Sequence, residues 1–344
     1  MANLWEGRGR RAWAATALAT AIVLLGSAGE RPALAQSALS LAPAEFRQLA
    51  GWSDDRLAAA LPAFLRSCAH IERQPDLAPL DPAAGGEFGR IADWKPLCHE
   101  AAALPPGDDG AARAFFERRF VPALARGGSG SVGLITAYWE VETTGSRLPQ
   151  GSYRVPVYRT PPGLAERRGR LTRQQIEGGA LAGQGLEILY LADEAQLRTL
   201  QTQGSGLVHL TDGATVRLGY DANNGIGPIG NEPPYVFFRE NHGDGPVGAE
   251  GAGLTPGRSL AVDHRFVPFG MPLWLEARGR YDGTVLHHLV IAQDTGDGIA
   301  GPVRGDFYVG SGPAAAAFGS RFLADGGYYL LLPRSLAMRL VAAN

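Results

Sequence analysis

From residue 132 onward the chain is cut into β-type runs of only four to ten residues, separated by Gly, Pro, Asn and Asp. Runs that short suit strands of a barrel or sandwich rather than a helical layer. They are Val132–Val141, Arg154–Tyr158, Leu186–Tyr190, Gly206–Leu210, Thr215–Tyr220, Tyr235–Arg239, Ser259–Val262, Leu273–Ala277, Leu286–Gln293, Asp306–Val309 and Tyr328–Leu332. Helical spacing intervenes only over Thr172–Gly178 and Asp193–Gln201. Many short strands with few helices between them argue for a mainly β fold and against a doubly wound α/β sheet. The Gly-rich stretch 240–257 reads as a mobile connection.

The part before residue 132 has another texture. Arg8, Arg10 and Arg11 precede the apolar stretch Ala12 to Ala28, and Ala33-Leu34-Ala35 offers small residues ahead of Gln36. This is the three-part pattern of a secretory signal peptide over residues 1–35. The apolar stretch is at the short end for a bilayer span, no Cys stands near the cut to carry a lipid, and no later segment is long and apolar enough to cross a membrane. The expectation is a periplasmic protein. Without residues 1–35 the chain keeps 28 basic and 32 acidic side chains, so it lacks the basic surplus of a nucleic-acid binder.

Two cysteines, Cys68 and Cys98, in an exported chain predict one disulfide. Closing such a loop contributes about 3–4 kcal/mol on the chain-entropy model. Residues 43–72 read as helical, with Asp54 as cap and Leu57, Leu61, Phe64, Leu65 and Cys68 at helical spacing. Residues 74–90 read as loop, and Ala111–Phe120 as a second helix. The seven His make no metal-ligand pattern: His287 and His288 are adjacent and point to opposite faces of a strand. No metal and no cofactor is expected. Phosphate-binding loops, HExxH and GxSxG are all absent.

The chemistry-bearing residues lie in the C-terminal third. An apolar strand ends at Asp294, a Gly-rich loop follows (Thr295 to Gly305), and Asp306 opens the next strand. Asp263 follows Leu260-Ala261-Val262 in the same way. Carboxylates at strand ends beside a Gly-rich loop are rigidly held yet open to a ligand. On pattern alone, such an Asp is more often a turn or cap residue than a catalyst, and three together at strand ends shift that balance.

Taken together these stretches resemble a known family. Ser259-Leu260-Ala261-Val262-Asp263, Val267-Pro268-Phe269-Gly270-Met271-Pro272-Leu273-Trp274, Ala292-Gln293-Asp294-Thr295-Gly296 and Gly301-Pro302-Val303-Arg304-Gly305-Asp306 are similar to the three-aspartate domain that closes the MltA-type lytic murein transglycosylases. The likeness continues through Leu134-Ile135-Thr136-Ala137-Tyr138-Trp139-Glu140, Pro156-Val157-Tyr158-Arg159-Thr160-Pro161, Gln203-Gly204-Ser205-Gly206 and Tyr235-Val236-Phe237-Phe238, covering about residues 45–335.

The resemblance implies a double-psi β-barrel with N-terminal helices (36–144 and 251–344), a smaller, shortened inserted β-domain (145–250) and a glycan groove between them. It implies cleavage of the β-1,4 bond between N-acetylmuramic acid and N-acetylglucosamine without water, leaving a 1,6-anhydro ring. Asp306 stands where the catalytic acid belongs. Asp294 and Asp263 are read as supporting it, Asp294 through its charge or a shared hydrogen bond and Asp263 as a brace. Thr136, Tyr138, Glu140, Gln203, Gly204, Ser205 and Tyr308 are read as substrate-binding. The partner is a peptidoglycan glycan strand and the protein a monomer.

Two departures from the family pattern stand out. Only residues 226–235 separate Gly225 from Val236, which predicts a shallower or more open groove, and Asp297 adds a carboxylate expected either to raise the pKa of Asp306 further or to distort the turn. Two other readings stay open: a glycan-binding protein without turnover, and a hydrolase using Asp294 and Asp306 as a pair.

Overall fold

The computed structural model describes residues 38–164, 171–226, 233–243 and 245–337; the signal segment 1–35 lies outside them, as does most of the short stretch 226–235. In chain order, β1 (Ser40–Pro43) leads to helices α1 (Leu61–Ile71), α2 (Ile91–Ala102) and α3 (Asp109–Arg119). β2 (Phe120–Arg126), β3 (Gly133–Gly145), β4 (Val155–Tyr158), a single turn α4 (Arg173–Gln175), β5 (Glu187–Leu191), α5 (Glu194–Gln203), β6 (Ser205–Leu210), β7 (Thr215–Asn223) and β8 (Val236–Asn241) follow. The chain ends with β9 (Ser259–Val262), β10 (Pro272–Gly279), β11 (Val285–Asp294), β12 (Arg304–Ser311), α6 (Gly312–Gly319) and β13 (Leu323–Pro333).

Six of these strands close a ring. β13 pairs antiparallel with β10 and β10 with β11; β11 runs parallel to β9, β9 antiparallel to β12, β12 parallel to β3, and β3 returns antiparallel to β13. This is the double-psi barrel, and ring closure removes its free edges. β1 and β2 extend the sheet beyond β13, while β6, β7 and β8 extend it beyond β3.

β3 serves both sides of the molecule. Leu134 to Tyr138 pair with β12, whereas Val141 to Gly145 pair with β6. The hydrophobic cores divide at the same place. Ile135 and Ala137 belong to the core shared by the barrel and the N-terminal helices; Val141 belongs to a second core with Leu189, Val208, Leu218 and Phe237. The start of β3 needs Gly133, because a Cβ there would run into the Val303 carbonyl oxygen.

The helices cap the barrel through aromatic packing of Phe64, Phe115, Phe116 and Phe120, with ring centroids 5.0–6.3 Å apart. The Cys68–Cys98 disulfide joins α1 to α2. The long helix read over 43–72 is instead two 3-10 turns, Phe46–Gln48 and Leu57–Ala60, followed by α1. Gly51 sits at φ 73°, which interrupts a right-handed helix, and Pro62 lies in the first turn of α1, where a missing N–H costs little. Asp54 caps no helix. Its neighbour Asp55 is buried against Arg258. α2 escapes the sequence reading because Pro96 lies within it; Ile91, Trp94, Leu97 and Cys98 keep it helical by facing the core. Within the Gly-rich stretch 240–257, residues 245–254 fold into a hydrogen-bonded turn: the Leu254 N–H donates to the Pro246 carbonyl, and that of Gly248 to Ala252.

Candidate active site

Register places the acids. Asp306 in β12 lies opposite Thr136 in β3, and Tyr308 opposite Tyr138. Asp294 is the last residue of β11, and Asp263 directly follows β9. These residues line a cavity of about 900 Å³, with Thr136 and Tyr308 behind it. Its barrel wall includes Tyr138, Asp263, Asp294, Arg304 and Asp306; the facing wall includes Gln201, Gln203, Gly204, Ser205, Tyr220 and Arg239.

Asp306 is half-buried in the lining of this groove, and its Oδ1 accepts a 2.6 Å hydrogen bond from the Thr136 hydroxyl. Burial pushes it up to about 6. The Thr136 hydroxyl and the Arg304 guanidinium oppose that rise, and the Asp294 charge adds to it. Arg304 does not pair with the carboxylate directly: its Nη2 donates to Thr136 Oγ1 at 2.9 Å, and Nη1 donates to the carbonyls of Leu134 and Gly305. A carboxyl near its midpoint close to neutrality can both give and take a proton.

Asp294 is held by three donors: the Tyr138 hydroxyl at 2.8 Å and the N–H groups of Ala249 and Thr295, each at 2.9 Å. Burial nevertheless raises its pKa. Burial and the Asp294 charge also hold the Tyr138 phenol well above its usual range, so Tyr138 remains a donor. The hydrogen bonds of Asp294 and Asp306 go to different partners, so charge links them rather than a shared proton. Asp263 differs. Burial would raise it, but Arg265 Nε (2.8 Å) and Nη2 (2.6 Å) and the Gly301 N–H (2.8 Å) lower it and tie the 295–303 loop to the end of β9.

Gln203, Gly204 and Ser205 line the groove where α5 turns into β6, with Gly204 at φ 76° ending the helix. The Gln203 side chain also accepts from the Trp139 N–H at 3.1 Å. Thr136 reaches the site through Asp306. Glu140 and Tyr308 do not line the groove: Glu140 is buried against Arg217 at 2.8 Å, and Tyr308, 2% exposed, packs on the Tyr138 ring. Asp297 is not among the groups acting on Asp306; it accepts from Asn223 Nδ2 at 3.1 Å. Arg304, Tyr220 and the Ala249 N–H were not singled out from the sequence. The first two stood inside quoted or readable runs, whereas a backbone donor carries no sequence signal. Among the described residues no group of three or more His, Cys, Asp or Glu is placed to hold a metal.

Residues 134–232 match the model of the MltA specific insert domain, and residues 258–325 that of the 3D domain. The solved lytic transglycosylase LtgG of Burkholderia pseudomallei is 33% identical, with 88% of this chain and 98% of that one covered at a TM-score of 0.60. A membrane-bound lytic murein transglycosylase from Agrobacterium tumefaciens is 27% identical, covering 87% and 99%, at a TM-score of 0.74. Among curated proteins, the membrane-bound lytic murein transglycosylase A of Vibrio cholerae is 28% identical over 241 residues, which is 57% of this chain and 64% of that protein. The match therefore spans just under two thirds of that relative's length.

Proposed function

Because this chain belongs to the MltA-type family of lytic murein transglycosylases, we propose that it cleaves the MurNAc–GlcNAc bond of peptidoglycan in the periplasm, with Asp306 as the single acid and base. The observation that carries this reading is one half-buried carboxyl, pushed up to about 6, in the lining of a groove of about 900 Å³. We read residues 36–144 and 251–344 as the barrel domain and 145–250 as the insert supplying the facing wall. The two separate hydrophobic cores support that division.

Protonated Asp306 gives its proton to the glycosidic oxygen as the C1–O bond breaks. The C6 hydroxyl of the same sugar then attacks C1, and the Asp306 carboxylate takes the proton released. A second carboxylate to activate water is unnecessary, unlike in glycosidases with paired acids. Asp294 keeps negative charge beside the proton donor, which favours its protonated form. Asp263 keeps the Gly-rich loop in place. The exposed Tyr220 ring and the Gln203-Gly204-Ser205 turn offer a stacking face and polar groups to the sugars.

Digestion of purified sacculi followed by mass spectrometry of the released fragments tests the reading. Anhydromuramyl ends are expected. Reducing ends would replace it with hydrolysis, and an absence of release with glycan binding alone.

A further inference from the structure

Behind the groove runs a buried polar chain that the proposed reaction does not use. Ser67 on α1, Gln293 in β11 and Ser259 in β9 are fully buried, and Glu250 is 6% exposed. Glu250 Oε2 accepts from the Ser67 hydroxyl at 2.7 Å. Gln293 Nε2 donates to Ser67 Oγ at 2.9 Å and to the Ala63 carbonyl at 3.0 Å, while its Oε1 accepts from the Ser259 hydroxyl at 2.6 Å. Such a chain is satisfied only while every member stays in place. Glu250 also binds through its main chain, its N–H donating to the Gln293 carbonyl at 3.1 Å.

The residue before it matters most. The Ala249 N–H donates to Asp294 Oδ1 at 2.9 Å, and Val247, Gly248, Ala249 and Gly251 all line the groove. The turn that carries this donor is short and Gly-rich, and Leu254 at its end is buried in a cluster with Tyr138, Ala261 and Tyr308. Glu250 is the turn's polar side chain that reaches inward, next to the donor itself. Its carboxyl is bonded to a hydroxyl rather than a cation, an expensive arrangement for a purely structural peg. Burial pushes it up to about 7 against Ser67 and Gln293, with the Asp81 charge adding to the rise. It is therefore largely uncharged in mildly acid solution.

We propose that Glu250 is a positioning residue: by bonding Ser67 it fixes the 246–251 turn against α1 and β11, and so holds the Ala249 N–H on Asp294, whose charge faces Asp306. This rests on the reading of Asp306 as the proton donor. The groups facing Asp294 are Tyr138 from β3, Asp306 from β12 and the N–H groups of Ala249 and Thr295. Losing one donor destabilises the Asp294 carboxylate. Less negative charge then faces Asp306, whose protonated form becomes less favoured.

The test compares wild type, Glu250→Gln, Glu250→Ala and Ser67→Ala, measuring kcat and KM for anhydromuropeptide release across pH. Carboxyl carbon NMR follows the Asp294 titration in the same full-length proteins. Glu250→Gln, which still accepts from Ser67, is expected to keep kcat within about twofold, while Glu250→Ala loses about tenfold or more with KM little changed. In Glu250→Ala the alkaline limb moves to lower pH and Asp294 titrates higher; Ser67→Ala moves both the same way by less. An unchanged kcat and profile in Glu250→Ala overturns the proposal. So does lost activity with an unmoved limb and unmoved Asp294 titration, the mark of a merely structural role. Should Glu250→Ala not fold, Ser67→Ala decides by the same readings. If wild type releases no anhydromuramyl ends, the glycan reading fails, and the Asp294 titration still decides whether Glu250 positions its donor.

Discussion

Two carboxylates packed against the same barrel carry opposite shifts. At the groove, Asp306 meets a hydroxyl and has its nearest guanidinium one hydrogen bond away, on Thr136. Where the turn before α1 meets β11, Asp55 takes Arg258 directly with both oxygens, at 2.7 and 2.8 Å, and also accepts from the Leu289 N–H and meets His288. Burial raises both. At Asp55, His288, Arg258 and Leu289 reverse it and hold the carboxyl far below its usual range; at Asp306 burial wins. The difference lies in where the cation is anchored. Arg304 spends its donors on Thr136 and on main-chain carbonyls, so it tempers Asp306 without neutralising its need for a proton. One arrangement holds the fold together and the other leaves a proton available.

The largest effect expected from this contrast is at the groove. Asp306→Asn keeps the shape and removes the proton, so turnover on sacculi should fall about 10²–10⁴-fold. Its thermal midpoint should not fall, because a carboxylate made costly by burial is being replaced. A variant that loses stability along with activity would make Asp306 a structural residue like Asp55. Next in size is Arg258→Ala, which strands a buried carboxylate and should cost about 3–5 kcal/mol in urea unfolding. A loss under about 1 kcal/mol would mean that the Asp55 site is held by its other partners.

The pH dependences of the two sites should run in opposite directions. The stability contributed by Asp55, whose pKa is lowered on folding, is present above its unfolded value near 3.8 and is lost as pH falls toward the folded value. Turnover needs protonated Asp306 and should fall as pH rises through about 6. Thr136→Val removes a hydrogen bond that favours the carboxylate, so the alkaline limb of the rate profile should move upward. A downward movement would show that Thr136 stabilises the protonated form instead.

The strands that frame the groove are legible because each is a short β-type run bounded by turn residues, and that texture alone places Asp263 and Asp294 at strand ends; Asp306, read as opening its strand, stands at the third position of β12, because Arg304 and Gly305 already pair with β3. Alternation told less about which face each residue serves. Thr136, Tyr138 and Glu140 share a face of β3 by spacing, yet the pairing with β12 shifts register after Tyr138 and β6 takes over from Val141, so Glu140 meets Arg217 of β7 instead of the groove. Asp55 and Arg258 are 203 residues apart, and no local pattern announces their pairing. α2 was hidden by Pro96, whose cost is overcome only by tertiary packing that the sequence does not display. The Ala249 donor belongs to the backbone, which has no residue identity to read.

Asp297 gives the smallest expected effect and the sharpest check on what makes a carboxylate matter here. It lies in the loop between the two acids and adds a negative charge, so proximity in sequence suggests that it tunes Asp306. In the structure it is exposed, and its carboxylate accepts from Asn223 at the end of β7. Water screens an exposed charge strongly, whereas Asp294 acts on Asp306 from a half-buried position fixed by three donors. Asp297→Gly should therefore change turnover by no more than about twofold, in keeping with a surface substitution, and leave the alkaline limb where it is. A limb displaced to lower pH would show that Asp297 acts on Asp306 after all, and that burial is not what separates the charges that tune the proton donor from those that do not.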